Sequence, residues 1–233
     1  MYDITGKKAV VVGGTGGIGA SVSDMLRMRG AEVTSTGKSK GDIALDLSMF
    51  FSDSVNSEYI AKKELLISKV YNCDILCLCF GPFVQKSLTD TSFDDWKNVA
   101  LLDYALQGFL TSTALRGMTE RKYGRIILFG GTRTDQIRAY KTNAAYAGAK
   151  TGLSVLAKSV AAEYSRYNIT CNVILPGFVN TEYLSNDLQK TLRVKMPSGK
   201  LIEKKIIADT LSFLIDTREI NGVLLGIDEG WSA

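Results

Sequence analysis

Lys8-Ala9-Val10-Val11-Val12-Gly13-Gly14-Thr15-Gly16-Gly17-Ile18-Gly19 is the stretch on which the reading of this chain turns. A short apolar, β-branched run stops abruptly at a cluster of glycines. Such a run, bounded by turn residues, predicts a buried parallel strand. From Ile18 to Arg29 apolar residues recur at helical spacing, and Gly30 supplies a C-terminal stop. A glycine turn between strand and helix lets the backbone approach a pyrophosphate. The helix start offers free N–H groups and the positive end of its dipole. In that context the loop predicts a dinucleotide site built on Gly13, Thr15, Gly16, Gly17, Ile18 and Gly19.

The same alternation continues outward. Ala31 to Thr36 and Ile43 to Leu47 read as strands, Asp53 to Lys69 as a helix, and Asp74 to Phe80 as a central strand. A helical pattern capped at Ser92 runs toward Thr119, with room for a break. Gly124 to Phe129, Ile169 to Leu175 and Gly222 to Ile227 read as strands; Asn143 to Tyr167 and Ala208 to Asp216 read as helices. Alternating strands and helices imply parallel strands joined by right-handed crossovers. The expected fold is therefore α/β: a doubly wound parallel sheet, a Rossmann fold of three α/β/α layers, in a single domain over residues 1–233. The least regular stretch, residues 181–205, is where a substrate lid is expected.

Bulk composition narrows the function classes. The 233 residues carry a net charge of +4, with the signs mixed and no run of five like charges, so no nucleic-acid partner is expected. No apolar run reaches the ~18 residues that span a membrane. Met1 to Lys8 lacks the apolar core of a signal peptide, so a cytoplasmic location is expected. There is no histidine, which removes every His-based metal site and general base. The four cysteines, Cys73, Cys77, Cys79 and Cys171, fit no zinc or redox spacing and read as small buried thiols, so no metal is expected.

The second strand bears on which dinucleotide binds. An acidic residue near its end would hold the ribose 2′-hydroxyl of NAD. Residues 33–41 contain no Asp or Glu but contain Lys38 and Lys40. A cation there suits a 2′-phosphate, so Lys38 points to NADP(H) over NAD(H). Further along, Tyr146 and Lys150 lie four apart on a predicted helix and share a face. An ammonium beside a phenol stabilises the tyrosinate, which suits Tyr146 to proton transfer near neutral pH.

Taken together, these motifs resemble the short-chain dehydrogenase/reductase family over essentially the whole length. The carriers are Gly13-x-x-x-Gly17-Ile18-Gly19, Asp46-Leu47, Tyr146-Ala147-Gly148-Ala149-Lys150, Pro176-Gly177-Phe178-Val179-Asn180-Thr181, and the closing strand toward Gly230. The nearest subgroup in character is the 3-oxoacyl-[acyl-carrier-protein] reductases. The resemblance implies that Tyr146 is the catalytic acid or base and that Lys150 holds the nicotinamide ribose. It implies that Asp46 and Leu47 meet adenine, that Phe80 and Gly81 line the cofactor groove, and that Pro176, Gly177, Val179 and Thr181 serve the nicotinamide carboxamide. A homotetramer or dimer, and a small-molecule or acyl-carrier-bound carbonyl substrate, are likewise implied.

Three departures stand out. Leu78-Cys79-Phe80-Gly81 replaces the family's Asn-Asn-Ala-Gly. Asp103 stands where an Asn relay residue is usual. Phe129-Gly130-Gly131-Thr132-Arg133-Thr134 lacks the usual serines. Thr132 or Thr134 is then the expected hydroxyl that orients the substrate carbonyl. The resulting expectation is hydride transfer between NADP(H) and a carbonyl or alcohol carbon. The alternative is a catalytically impaired nucleotide-binding or regulatory subunit.

Overall fold

The computed structural model describes residues 2–232. Seven parallel strands form one sheet in the order β3-β2-β1-β4-β5-β6-β9. These are β1 (Lys8–Val12), β2 (Glu32–Gly37), β3 (Ile43–Ala44), β4 (Ile75–Leu78), β5 (Gly124–Phe129), β6 (Ile169–Pro176) and β9 (Leu224–Ile227). A separate short parallel pair joins β7 (Val179–Asn180) to β8 (Ile202–Glu203). The doubly wound sheet expected from the sequence is thus the observed one.

Side-chain alternation builds a core on each face of the sheet. Val10, Val12, Leu76, Leu78, Ile126 and Leu128 point into one core. Their neighbours Ala9, Val11, Ile75, Cys77, Ile127 and Phe129 point into the other. Strands buried on both faces explain the near-continuous apolar runs in the sequence. Helices α1 (Gly17–Met28) and α7 (Lys204–Asp216) cover the second core. Helices α2 (Ser57–Tyr71), α4 (Leu106–Arg121) and α5 (Ala144–Tyr164) cover the first. The four thiols lie free within the fold, and burial pushes that of Cys73 up to about 12.

The chain leaves β1 toward β2 and β3, then returns to place β4 on the other side of β1. The crevice beyond the carboxyl ends of β1 and β4 is the switch point where ligands bind in such sheets. Gly13 follows β1 there, and Cys79 to Gly81 follow β4.

Several boundaries differ from the sequence expectation, each for a local reason. The helix expected from Asp53 starts at Ser57, because the Asn56 side chain accepts from the Tyr59 N–H at 2.8 Å. The third strand stops at Ala44, and Asp46 caps a 3-10 turn over Leu47–Met49. The helix after Ser92 is broken: α3 (Phe93–Val99) passes into a π-helical segment, Ala100–Ala105, before α4. The irregular stretch after Thr181 contains a regular helix, α6 (Asn186–Lys195), capped by Ser185 on the Leu188 N–H.

Candidate active site

A cleft of about 810 Å³ opens over the carboxyl ends of β4, β5 and β6. Tyr146, Lys150 and Thr132 line it, together with Ile18, Phe80, Gly81, Pro176, Gly177 and Val179. Gly13, Thr15, Gly16, Gly17, Gly19, Lys38, Asp46, Leu47 and Thr181 lie outside its lining.

The glycine loop is dictated by close approach. A Cβ at Gly13, whose φ is +79°, would lie 2.4 Å from the Cys79 carbonyl oxygen. A Cβ at Gly19 would lie 2.2 Å from the Gly13 carbonyl oxygen. Only glycine lets α1 start this close to β1 and β4. The loop's far side is covered by the segment after β7. The Glu182 carboxylate accepts from the Gly17 N–H at 2.6 Å, and Lys204 holds its second oxygen at 2.9 Å. The Tyr183 ring packs against Gly16 and Gly17, with Thr181 beside it. The Gly17 N–H and Lys204 hold the Glu182 carboxyl down at about 2, so it is an anion at neutral pH. An anionic oxygen therefore already rests on the start of α1, which is the chemistry a pyrophosphate would use.

Near the adenosine end, β2 closes on Gly37, and Thr15 packs against Gly37 and Gly41. Asp42, the first carboxylate past the strand, is turned back onto the Ser35 N–H and hydroxyl, both at 2.7 Å. Lys38 is exposed and pairs with Asp46 at 3.0 Å. Leu47 follows Asp46 in the capped 3-10 turn.

Lys150 is buried, donates to the Phe129 carbonyl at 2.9 Å and meets Asp103 Oδ1 at 3.0 Å. Asp103 is fully buried on the π-helical segment, and this ion pair is the carboxylate's one polar contact among the described residues. Gly81, at φ +139°, leaves room for it: a Cβ there would fall 1.8 Å from Asp103 Oδ1. Burial pushes the Asp103 carboxyl up to about 6, although Lys150 works in the opposite direction. Tyr146 is packed edge-on by Phe83 at 4.9 Å. Its phenol is held well above the ordinary range, first by burial and then by the Asp103 charge. An ammonium neighbour was expected to ease tyrosinate formation; the buried carboxylate offsets it.

The hydroxyl expected to orient a substrate carbonyl is turned away. Thr132 donates to the Pro176 carbonyl at 2.8 Å. Thr134 is buried, donates to the Gly131 carbonyl at 2.7 Å and accepts from the Gly131 N–H. Both protons are committed to backbone oxygens. The position that faces the Tyr146 phenol is Gly131, where a Cβ would lie 3.3 Å from Tyr146 Oη. Sequence reasoning offered Thr132 or Thr134 for the orienting hydroxyl; residue type does not give the direction of either side chain, which the turn from Gly131 to Thr134 sets. It also passed over Phe83, Glu182 and Trp231, which line or cover the site without belonging to any motif.

The short chain dehydrogenase profile matches residues 7–191. The chain is 29% identical to the 3-oxoacyl-[acyl-carrier-protein] reductase FabG of Vibrio cholerae serotype O1, covering 98% of each. It is 30% identical to the reductase of the same name from Haemophilus influenzae, covering 97% of this chain and 98% of that one. A solved short chain dehydrogenase/reductase family protein superposes with a TM-score of 0.82 at 22% identity, covering 98% of both chains. With the glycine loop, the Tyr146–Lys150 pair and the seven-stranded parallel sheet in place, this chain belongs to the short chain dehydrogenase family of oxidoreductases.

Proposed function

We propose that this protein is an NADP(H)-dependent carbonyl reductase in which Tyr146 supplies the proton. The observation that carries the reading is Tyr146, lining the cleft beside Lys150 with its hydroxyl facing the side-chain-free Gly131. A nicotinamide held in this groove would supply the hydride for the new C–H bond. Tyr146 gives its proton to the carbonyl oxygen as the C=O π bond opens. A phenol held above its usual range is protonated at neutral pH, the form that can donate the proton in reduction. Lys150 binds the ribose hydroxyls with the donor capacity left after Phe129 and Asp103, and Asp103 is a positioning residue for it. Thr132 fixes the Pro176 carbonyl at the carboxamide end of the groove, next to Gly177, Val179 and Thr181. Phe80 and Gly81 form its wall, and Asp46 and Leu47 its adenine end. Residues 181–205 act as the lid. A homo-oligomer fits the exposed Tyr104, Phe109 and Val155.

Two measurements test the cofactor half of this reading. Fluorescence titration is expected to give tighter binding of NADPH than of NADH, because β2 ends at Gly37, Lys38 follows it, and the first carboxylate beyond, Asp42, is held by Ser35. Lys38→Ala is expected to weaken NADPH about tenfold and to leave NADH nearly unchanged, as losing one charge-assisted phosphate contact would. Equal loss for both cofactors rejects the Lys38 assignment. Binding of neither cofactor by the wild type favours the alternative of a catalytically impaired, regulatory subunit.

Glu182 gives a second, oppositely signed expectation. A pyrophosphate seated on the start of α1 must displace this carboxylate. Glu182→Gln is therefore expected to tighten NADPH binding by about three- to tenfold, since an uncharged competitor holds the Gly17 N–H less strongly. Unchanged or weaker binding would place the phosphates elsewhere.

A further inference from the structure

We infer that Arg133 is an anchor for an anionic headgroup on the substrate, so that the compounds reduced are small carbonyl compounds bearing a carboxylate or a phosphate. This rests on the reductase reading above and names its substrate class.

Arg133 sits two residues past Gly131, the position facing Tyr146, so its backbone lies within about 7 Å of that point. It lines the same cleft as Tyr146. Its φ is +64°, a left-handed conformation in which glycine or asparagine is the usual occupant. The turn that imposes it is closed by the Thr134 N–H and hydroxyl on the Gly131 carbonyl. The Tyr140 hydroxyl adds a clamp by donating to the Arg133 carbonyl. A long cationic side chain held in a strained backbone position at a cleft is an outlier of the kind that accompanies function.

The head group is placed with equal care. The guanidinium stacks over the Trp231 ring at 4.9 Å and donates to the Trp231 carbonyl at 2.9 Å. Trp231 is itself backed by Phe178 at 4.8 Å. The Arg133 Nε has no hydrogen-bond partner, and among the described residues no carboxylate lies within ion-pair distance of the side chain. Arg138, Lys141 and Lys195 also line the cleft, whereas no Asp or Glu does. A cavity walled by cations with no acidic partner favours an anion, and a stacked guanidinium suits planar, two-point recognition of its oxygens.

The test uses the whole protein with NADPH and matched pairs: 3-oxobutanoate against its methyl ester, and dihydroxyacetone phosphate against dihydroxyacetone. The 3-oxobutanoyl thioester of N-acetylcysteamine stands for a carrier-bound substrate. The two charged compounds separate carboxylate from phosphate. Arg133→Gly suits the left-handed backbone, so the variant is expected to fold. It should lower kcat/KM for the preferred anion by about ten- to a hundredfold, mostly through KM, as loss of a charged hydrogen bond does. The neutral partner should change by less than about threefold. Preference of the wild type for the ester or thioester, or equal losses on charged and neutral compounds, overturns the inference and leaves the reductase reading intact. If no carbonyl compound is reduced, binding decides. In a Trp96→Phe background Trp231 is the sole tryptophan, and it reports directly on its arginine neighbour. Saturable quenching by 3-oxobutanoate or dihydroxyacetone phosphate that is lost in Arg133→Gly supports the anchor while rejecting the reductase. Absent or unaltered quenching rejects the anchor.

Discussion

Tyr146→Phe is expected to lower carbonyl turnover by about 10²- to 10⁴-fold, the range general acid catalysis commonly supplies. The ring, its edge-on contact with Phe83 and its helix position all remain; one hydroxyl is lost. NADPH binding and thermal stability should therefore hold. The loss should be unusually complete here, because the two nearby threonine hydroxyls are bound to backbone carbonyls and Gly131 offers no side chain. Neither of these threonines is free to share the developing charge on the substrate oxygen. Stopped-flow measurement of NADPH oxidation at saturating substrate isolates the chemical step. Unchanged turnover in this variant would show that Tyr146 is not the proton donor and would return weight to a different use of the nucleotide groove.

What the sequence made legible, and what it did not, follows from the range over which each feature is determined. The strand-glycine-helix start is a local property: a β-branched run, close-approach glycines and a helical period all lie within about twenty residues. The order of strands then follows from chain connectivity, so the sheet and the switch point were readable. The Tyr146–Lys150 pair was readable for the same reason, being four residues apart on one helix. Asp103 was readable by its type as a negative charge that disfavours tyrosinate, and it acts in that direction on Tyr146; its ion pair with Lys150 was not, because the π-helical segment that turns it onto Lys150 depends on packing between α3, α4 and α5. Thr132 shows what residue type alone leaves open. Its residue type suggested a donor, yet the turn closed by Thr134 sends its hydroxyl to Pro176, on a strand 44 residues away. Helix α6 was hidden by its polarity; its one long-lasting signal was the Ser185 cap before Asn186.

The buried Asp103–Lys150 pair carries the second large expectation. Asp103→Ala leaves Lys150 charged at a site with little access to water, and removing one member of such a pair typically costs about 3–5 kcal/mol. A lowered Tm and weak cofactor retention should result. Asp103→Asn is the finer probe, since it keeps the shape against Gly81 and removes only the charge. In the wild type the carboxyl titrates at about 6 in the fold, above its ordinary value. The folded state therefore favours the protonated form. The associated stability is fully present below the ordinary carboxylate range and is lost as pH rises through about 6. Chemical denaturation between pH 4 and 7 should show that decline in the wild type and not in Asp103→Asn. Activity should move in a related way. Above pH 6 the ionised Asp103 opposes tyrosinate, so alcohol oxidation, which needs Tyr146 as a base, should rise only in strongly alkaline solution. Removing the charge should shift that limb toward neutrality by on the order of one pH unit, while reduction at pH 7 changes little. A limb that stays in place would mean that burial alone sets the tyrosine, and that the departure from asparagine at this position has no electrostatic reach to the reacting oxygen.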